Sequence, residues 1–227
     1  MTTILVTGAN RGIGLEFVRQ YAEEASVIAC CREPAEAKDL NALARSKNVR
    51  VMTLDVGDAS SAASLARALK GEAVDILINN AGVFGPEKQS AAHSDYNGFA
   101  QTFRINSIGP LIVSQALHDN LLAGRDKKLV TITSKMGSIS DSSGGSLAYR
   151  ASKAAVNMIM HVLAHDWAGD GILVAILNPG WVKTDMGGPG AMISPEVSVR
   201  GLRQRIAELN EKTSGRFLDY LGKEIAW

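Results

Sequence analysis

Short apolar runs alternate along the chain with longer segments in which apolar residues recur at the 3.6-residue period of a helix. We predict strands near residues 3–7, 26–31, 49–54, 74–78, 128–133, 172–177 and 215–219. Most of the strand segments are predominantly apolar, which is typical of strands buried on both faces. The pattern therefore predicts an α/β protein in which a doubly wound parallel sheet of about seven strands carries helices on both faces, joined by right-handed crossovers.

Composition narrows the possible classes of protein. The chain has 227 residues, of which 46% are hydrophobic, so we expect residues 1–227 to form a single domain with one substantial core. The net charge of +1 gives no bulk electrostatic reason to expect a nucleic acid or an anionic membrane as partner. No apolar run approaches the roughly 20 residues of a membrane span. Only seven residues precede Gly8, too few for a signal peptide, and we expect a cytoplasmic protein.

Cysteine and histidine positions predict no metal site. Cys30 and Cys31 are adjacent in a predicted strand, so their side chains should point to opposite faces as buried free thiols. His161 and His165 share a helical face, but the pattern offers them no third ligand.

A glycine-rich segment, Gly8-Ala-Asn-Arg-Gly12-Ile-Gly14, lies between the first predicted strand and the first predicted helix. Glycines let the backbone turn tightly and approach a pyrophosphate, and the start of a helix favours negative charge. The spacing differs from the G-x-G-x-x-G dinucleotide fingerprint. The segment is a candidate phosphate site, and the alternative is a plain strand-to-helix turn.

Tyr149 and Lys153 lie four residues apart on a predicted helix. This spacing places them on one face, about 6 Å apart, where an ammonium can favour the ionised form of a phenol. The pair is a candidate acid–base unit. The alternative is two surface residues that share this spacing by chance.

Further polar motifs follow the predicted strands. Three of these strands are followed by Asp55-Val56, by Asn79-Asn-Ala-Gly82 and by Ser134. Another strand is followed by Asn178-Pro-Gly180 and Thr184. Taken in order with the glycine segment, Asn106 and Tyr149-Arg-Ala-Ser-Lys153, these motifs resemble those of the classical short-chain dehydrogenases/reductases. Residues 179–188 and 215–227 resemble the branch that contains sniffer-like carbonyl reductases and C-factor. The resemblance implies a single-domain Rossmann fold and a homodimer or homotetramer.

The resemblance also implies catalytic roles for four residues. Tyr149 would donate a proton to a carbonyl oxygen, and Ser134 would hold that oxygen by its hydroxyl. Lys153 would lower the pKa of Tyr149 and bind the nicotinamide ribose. Asn106 is the fourth position, where a local helix break could bind a water linking Lys153 to solvent. The alternatives are a helix-kink residue for Asn106 and a loop hydroxyl for Ser134.

Charge favours NADP(H) over NAD(H) as cofactor. NAD-selective sites place a carboxylate near the end of the second strand, whereas this chain has Arg32 there and Arg11 in the glycine segment. The alternative is that both arginines are solvated surface charges. The predicted cofactor-binding residues are Gly8, Asn10, Arg11, Gly12, Ile13, Gly14, Arg32, Asp55, Val56, Asn80, Ala81, Gly82, Tyr149, Lys153, Pro179, Gly180, Val182 and Thr184.

Two functions fit these features. The first is an NADPH-dependent oxidoreductase that reduces an aldehyde or ketone to an alcohol, with Tyr149 as general acid. The second is a cofactor-binding regulatory or signalling protein of C-factor type with little turnover. Trp181 and Met186 either touch the small-molecule substrate or pack internally.

Overall fold

The computed structural model describes residues 1–227, except for the side chain of Ser46. Its seven strands form one parallel sheet in the order β3-β2-β1-β4-β5-β6-β7. The strands are β1 (Thr3–Thr7), β2 (Ser26–Cys31), β3 (Val49–Thr53), β4 (Ile76–Asn79), β5 (Lys128–Ile132), β6 (Leu173–Asn178) and β7 (Phe217–Asp219). Every predicted strand is present. The doubly wound parallel sheet is thereby confirmed.

Helices cover both faces of this sheet. They are α1 (Gly12–Tyr21), α2 (Lys38–Ser46), α3 (Ala59–Ala68), α4 (Tyr96–Phe103), α5 (Gly109–Ala116), α6 (His118–Ala123), α7 (Leu147–Asp166) and α8 (Pro195–Glu208). A π-helical turn, Arg104–Ile108, joins α4 to α5. No helix in the described part of the chain is both long enough and apolar enough to cross a bilayer.

Side-chain caps account for several helix starts. Asp95 accepts hydrogen bonds from the backbone N–H groups of Asn97 and Gly98 at the start of α4, both at 3.1 Å. Ser194 precedes Pro195, which suits the first helical position, and caps α8 through Val197 N–H. Helix α7 differs, because its preceding residue Ser146 has a φ of +49° and makes no side-chain cap.

Two cores lie on opposite faces of the sheet. One contains Phe17, Leu40 and Leu202 from α1, α2 and α8, and the other contains Leu121 and Met160 from α6 and α7, among others. Successive residues of each strand alternate between these cores. Cys30 and Cys31 follow this rule and are buried free thiols on opposite faces, as predicted. Burial raises the pKa of both thiols.

The sheet order creates a crevice at its carboxyl edge. Strand β1 pairs with β2 on one side and β4 on the other, so the connections leaving β1 and β4 diverge to opposite faces. Ligands of open α/β sheets bind at such a point. The single-domain boundary, the oligomeric state and the cytoplasmic location stay predictions.

Candidate active site

A cleft of about 850 Å³ opens at the carboxyl edge of the sheet. All of the predicted cofactor-binding residues line it, and so does Ser134. Of the four predicted catalytic residues, only Asn106 lies outside the lining, in the protein interior behind the cleft. The structure therefore gathers motifs that are far apart in sequence into one cavity.

The glycine turn forms one end of the cleft and is packed without spare space. A Cβ atom on Gly14 would lie 2.2 Å from the carbonyl oxygen of Gly8 and 2.5 Å from Nδ2 of Asn80. Gly12 has a φ of +56°, in the left-handed region that favours glycine. The backbone at this helix start can therefore come close to an anionic ligand, as a pyrophosphate requires.

Asn80 holds the glycine turn from behind. Its Nδ2 donates a hydrogen bond of 2.9 Å to the carbonyl oxygen of Thr7. In return, Oγ1 of Thr7 accepts from the backbone N–H groups of Asn80 and Ala81, both at 3.0 Å. The ends of β1 and β4 are thus tied together, and the amide of Asn80 serves this link as well as lining the cleft.

Tyr149 and Lys153 lie on the first turns of α7, with side chains directed into the cleft. Nζ of Lys153 lies 5.8 Å from the centre of the Tyr149 ring and donates a 3.1 Å hydrogen bond to Ile132 O. Both residues are buried, with exposed fractions of 8% and 5%. The helical spacing predicted from the sequence is present.

The pKa of Tyr149 differs from the expectation. Burial raises it, because a phenolate in the protein interior loses its hydration, and the hydrogen bond with Ser134 offsets this only in part. Lys153 is not among the groups that produce this shift, and its lowering of the pKa of Tyr149 stays a prediction. Burial also lowers the pKa of Lys153 to about 8, which still leaves it mostly protonated at pH 7.

Asn106 lies in the π-helical turn, so the predicted local break is present. Its Oδ1 accepts from Val83 N–H at 2.8 Å, and its Nδ2 donates to Val83 O at 2.8 Å and to Ser152 Oγ at 3.0 Å. A Cβ on Gly82 would lie 3.3 Å from Oδ1 of Asn106 and 3.6 Å from Nζ of Lys153. The side chain thus fastens the segment after β4 to α7. The linking water stays a prediction.

The chain between Gly98 and Leu122 is not one continuous helix. The π-helical turn interrupts it at residues 104–108, and a second interruption at Leu117 separates α5 from α6. By contrast, the segment from Ser146 to Trp167 contains one unbroken helix, α7.

Ser134 begins a short 3-10 turn after β5, and its Oγ accepts from Met136 N–H at 3.1 Å. The loop beyond it is held by the last residues of the chain. Ser138 Oγ donates to Ala226 O at 2.6 Å, and Ser140 N–H donates to Trp227 O at 2.8 Å. These bonds order the first part of the serine- and glycine-rich segment at residues 138–146.

The two arginines predicted to bind a 2′-phosphate are placed differently. Arg11 forms an ion pair of 3.1 Å with Asp185 across the cleft mouth, with exposed fractions of 71% and 80%. Arg32 is exposed and has no ion-pair partner within the described residues. Asp39, from the first turn of α2, lines the same cavity. Of the two arginines, Arg32 is therefore the one that no carboxylate pairs with, and it is available to an anionic ligand.

Several lining residues were not singled out from the sequence. Among them are Phe84, Met136, Asp39 and Asp185. The ring of Phe84 lies 4.8 Å from that of Tyr149, centre to centre. The sequence could have indicated Phe84 as a lining residue, because it lies two residues after Gly82, the last residue of a strand-end motif. Trp181 and Met186 also line the cleft.

No metal-binding cluster of three or more His, Cys, Asp or Glu side chains exists among the described residues. His161 and His165 contact each other, with ring centres 4.9 Å apart.

Comparison with known sequences finds one family and related proteins. A model of the short chain dehydrogenase family matches residues 2–190. The C-signal of Myxococcus xanthus is 45% identical over 155 residues, which cover 68% of this chain and 93% of that protein. The 1-hydroxy-2-glutathionyl-2-methyl-3-butene dehydrogenase of Rhodococcus sp. strain AD45 is 35% identical over 235 aligned residues, covering 100% of both chains.

Solved structures show the same likeness over the whole chain. The carbonyl reductase Sniffer of D. melanogaster superposes with a TM-score of 0.93 at 30% identity, covering 100% of both chains. An NADPH-bound carbonyl reductase from chicken fatty liver superposes with a TM-score of 0.92 at 36% identity, covering 100% of this chain and 99% of the other. The family and branch predicted from the motifs are confirmed.

Proposed function

This chain belongs to the short-chain dehydrogenase family of NAD(P)-dependent oxidoreductases, and we propose that it reduces an aldehyde or ketone to an alcohol with NADPH. One observation carries the proposal. Tyr149, Ser134 and Lys153 line the same cleft as the glycine turn, so a nicotinamide cofactor bound to the turn can reach them.

The bound cofactor would supply a hydride to the carbonyl carbon. Tyr149 donates its phenol proton to the carbonyl oxygen, and the hydroxyl of Ser134 donates a hydrogen bond to the same oxygen. A raised phenol pKa means that Tyr149 holds its proton at neutral pH, as a general acid must. Lys153, with a pKa of about 8, is protonated at pH 7 and can return a proton to the phenolate.

Apolar side chains in the lining of the cleft favour an apolar substituent on the substrate. Phe84, Met136, Trp181 and Met186 all line the cleft, and Phe84 stacks obliquely on the Tyr149 ring. Apolar walls with a few polar groups are typical of sites for small molecules. The names of the two carbonyl reductases above support carbonyl reduction for this chain.

A substitution of Tyr149 tests the chemistry. Against a panel of aldehydes and ketones, we expect Tyr149→Phe to lower the rate of NADPH oxidation about a thousandfold, or roughly 4 kcal/mol of transition-state stabilisation. The affinity for NADPH should stay near that of the parent. Tyr96→Phe is the matched control, because Tyr96 is 82% exposed and does not line the cleft. Near-parental turnover by Tyr149→Phe would refute the proposal.

Preference for NADPH depends on Arg32. Charge-assisted hydrogen bonds contribute roughly 1.5–3 kcal/mol each, so Arg32→Ala should reduce the preference for NADPH over NADH about tenfold or more. Arg200→Ala is the control, because Arg200 is exposed on α8 and does not line the cleft. Fluorescence titration measures the affinities of the parent for the two cofactors. Equal affinities would refute the proposed preference for NADPH.

A second function, a cofactor-binding regulatory or signalling protein, is favoured by the 45% identity to the C-signal. It predicts that the parent binds NADPH yet reduces no member of the panel. Measurable reduction that is lost in Tyr149→Phe would instead favour the enzyme.

A further inference from the structure

The start of helix α7 is capped by a residue from a distant loop. Ser146, the residue before the helix, makes no side-chain cap. The first N–H groups of a helix lack partners within it and need acceptors elsewhere. Gln89 supplies two of them, because its backbone oxygen accepts from Leu147 N–H at 3.0 Å and its Oε1 accepts from Tyr149 N–H at 3.1 Å.

The other half of the same amide binds the backbone of a residue whose ring contacts Tyr149. Nε2 of Gln89 donates a 3.1 Å hydrogen bond to the carbonyl oxygen of Phe84. Gln89 is 6% exposed and does not line the cleft. One buried amide therefore connects the backbones of Phe84 and Tyr149, whose rings lie 4.8 Å apart.

We propose that Gln89 is a positioning residue, which sets the Tyr149 phenol and the Phe84 ring relative to each other on the substrate side of the cleft. The inference rests on the proposed function of Tyr149. It goes further because it assigns to Gln89 control over the position of the Tyr149 phenol, although Gln89 does not touch the reacting atoms.

The physical reason is the sensitivity of the site to small displacements. Gln89 holds the backbone of Tyr149, and Ser134 is close enough to the phenol to lower its pKa. Hydrogen bonds weaken steeply as their geometry worsens, and a displacement of about 1 Å in an active site can reduce rates about a hundredfold. Without the Gln89 amide, the first turn of α7 and the loop carrying Phe84 lose their shared anchor.

Gln89→Met tests this. Methionine matches glutamine in length but cannot make either amide hydrogen bond, while the backbone bond to Leu147 remains. We expect kcat to fall about tenfold and the Kd for NADPH to change less than about twofold. The phenol pKa of Tyr149, read by ultraviolet titration against Tyr149→Phe, should shift upward as the bond with Ser134 loosens.

Gln20→Met is the matched control. Its amide also makes side-chain hydrogen bonds, to Glu16 and to the Glu196 carbonyl, but at the junction of α1 and α8. Both variants should lose thermal stability, and only Gln89→Met should lose kcat. Equal kcat values in both variants, with an unshifted phenol titration, would reduce Gln89 to a structural cap and overturn the inference.

Gln89→Glu provides a rescue that depends on pH. A protonated carboxyl can donate to Phe84 O and accept from Tyr149 N–H, whereas an ionised one has no donor. We expect kcat relative to the parent to be highest at low pH and to fall as the carboxyl ionises. A pH-independent ratio would contradict the role of the Phe84 bond.

Failure of the proposed function gives a different result. A parent protein that reduces no carbonyl compound would refute the function, while the phenol titration would still show whether Gln89 positions Tyr149. An active parent with unchanged kcat in Gln89→Met would refute only the inference.

Discussion

Replacing Lys153 by methionine should abolish activity and yet stabilise the protein at neutral pH. Lys153 is buried, and its ammonium is kept there without a carboxylate partner within the described residues. Burial of a charge without a counter-ion is unfavourable, so removing that charge should relieve an existing destabilisation.

The structure sets the size of this effect. A pKa of about 8, against the ordinary 10.5, corresponds to roughly 3 kcal/mol of free energy disfavouring the ammonium in the folded state. The substitution also removes the hydrogen bond to Ile132 O, and this loss offsets roughly 1–2 kcal/mol of the gain in stability. The expected net gain in the free energy of unfolding is therefore about 1–2 kcal/mol.

The gain should depend on pH in a defined direction. Below about pH 8 the lysine is protonated in both the folded and the unfolded state, so the penalty is present in full. Between about 8 and 10.5 the unfolded chain binds more protons than the folded one, and the stability of the parent rises with pH. The advantage of Lys153→Met should therefore shrink across this window.

Urea unfolding of the parent and Lys153→Met at a series of pH values, without added cofactor, measures this difference. Lys70→Met is the control, because Lys70 is exposed and its loss should leave the free energy of unfolding nearly unchanged. A variant less stable than the parent at pH 7, or a difference that does not change between pH 8 and 10.5, would refute the reasoning.

Two further predictions concern the cofactor end of the cleft. Gly14→Ala should destabilise the protein by at least about 2 kcal/mol and weaken cofactor binding, because its Cβ would lie 2.2 Å from a backbone oxygen. Thermal melts measure the loss of stability, and Gly169→Ala is the control because a Cβ at Gly169 would have nothing within 4 Å. Asp185→Asn should free Arg11 from its ion pair and raise the affinity for NADPH relative to NADH by a few-fold, as measured by titration. An unchanged ratio of the two affinities would mean that Arg11 does not reach the 2′-phosphate.

The sequence alone determined the features that depend on local spacing. Predominantly apolar runs placed the strands, because central strands buried on both faces leave this pattern. Tyr149 and Lys153 could be paired because four residues are about one turn of a single helix. The strand-end motifs could be brought together because the carboxyl ends of parallel strands share one edge.

The tertiary structure decided what depends on the surroundings of each group. Burial raises the pKa of Tyr149, and no spacing rule states how deeply a phenol is buried. Arg11 meets Asp185, 174 residues away, and Gln89 meets Tyr149, 60 residues away. Such contacts arise from the packing of loops whose paths the local pattern does not specify. For that reason, the sequence identified the candidate reacting groups, and only the folded chain determined their hydrogen-bond partners and their burial.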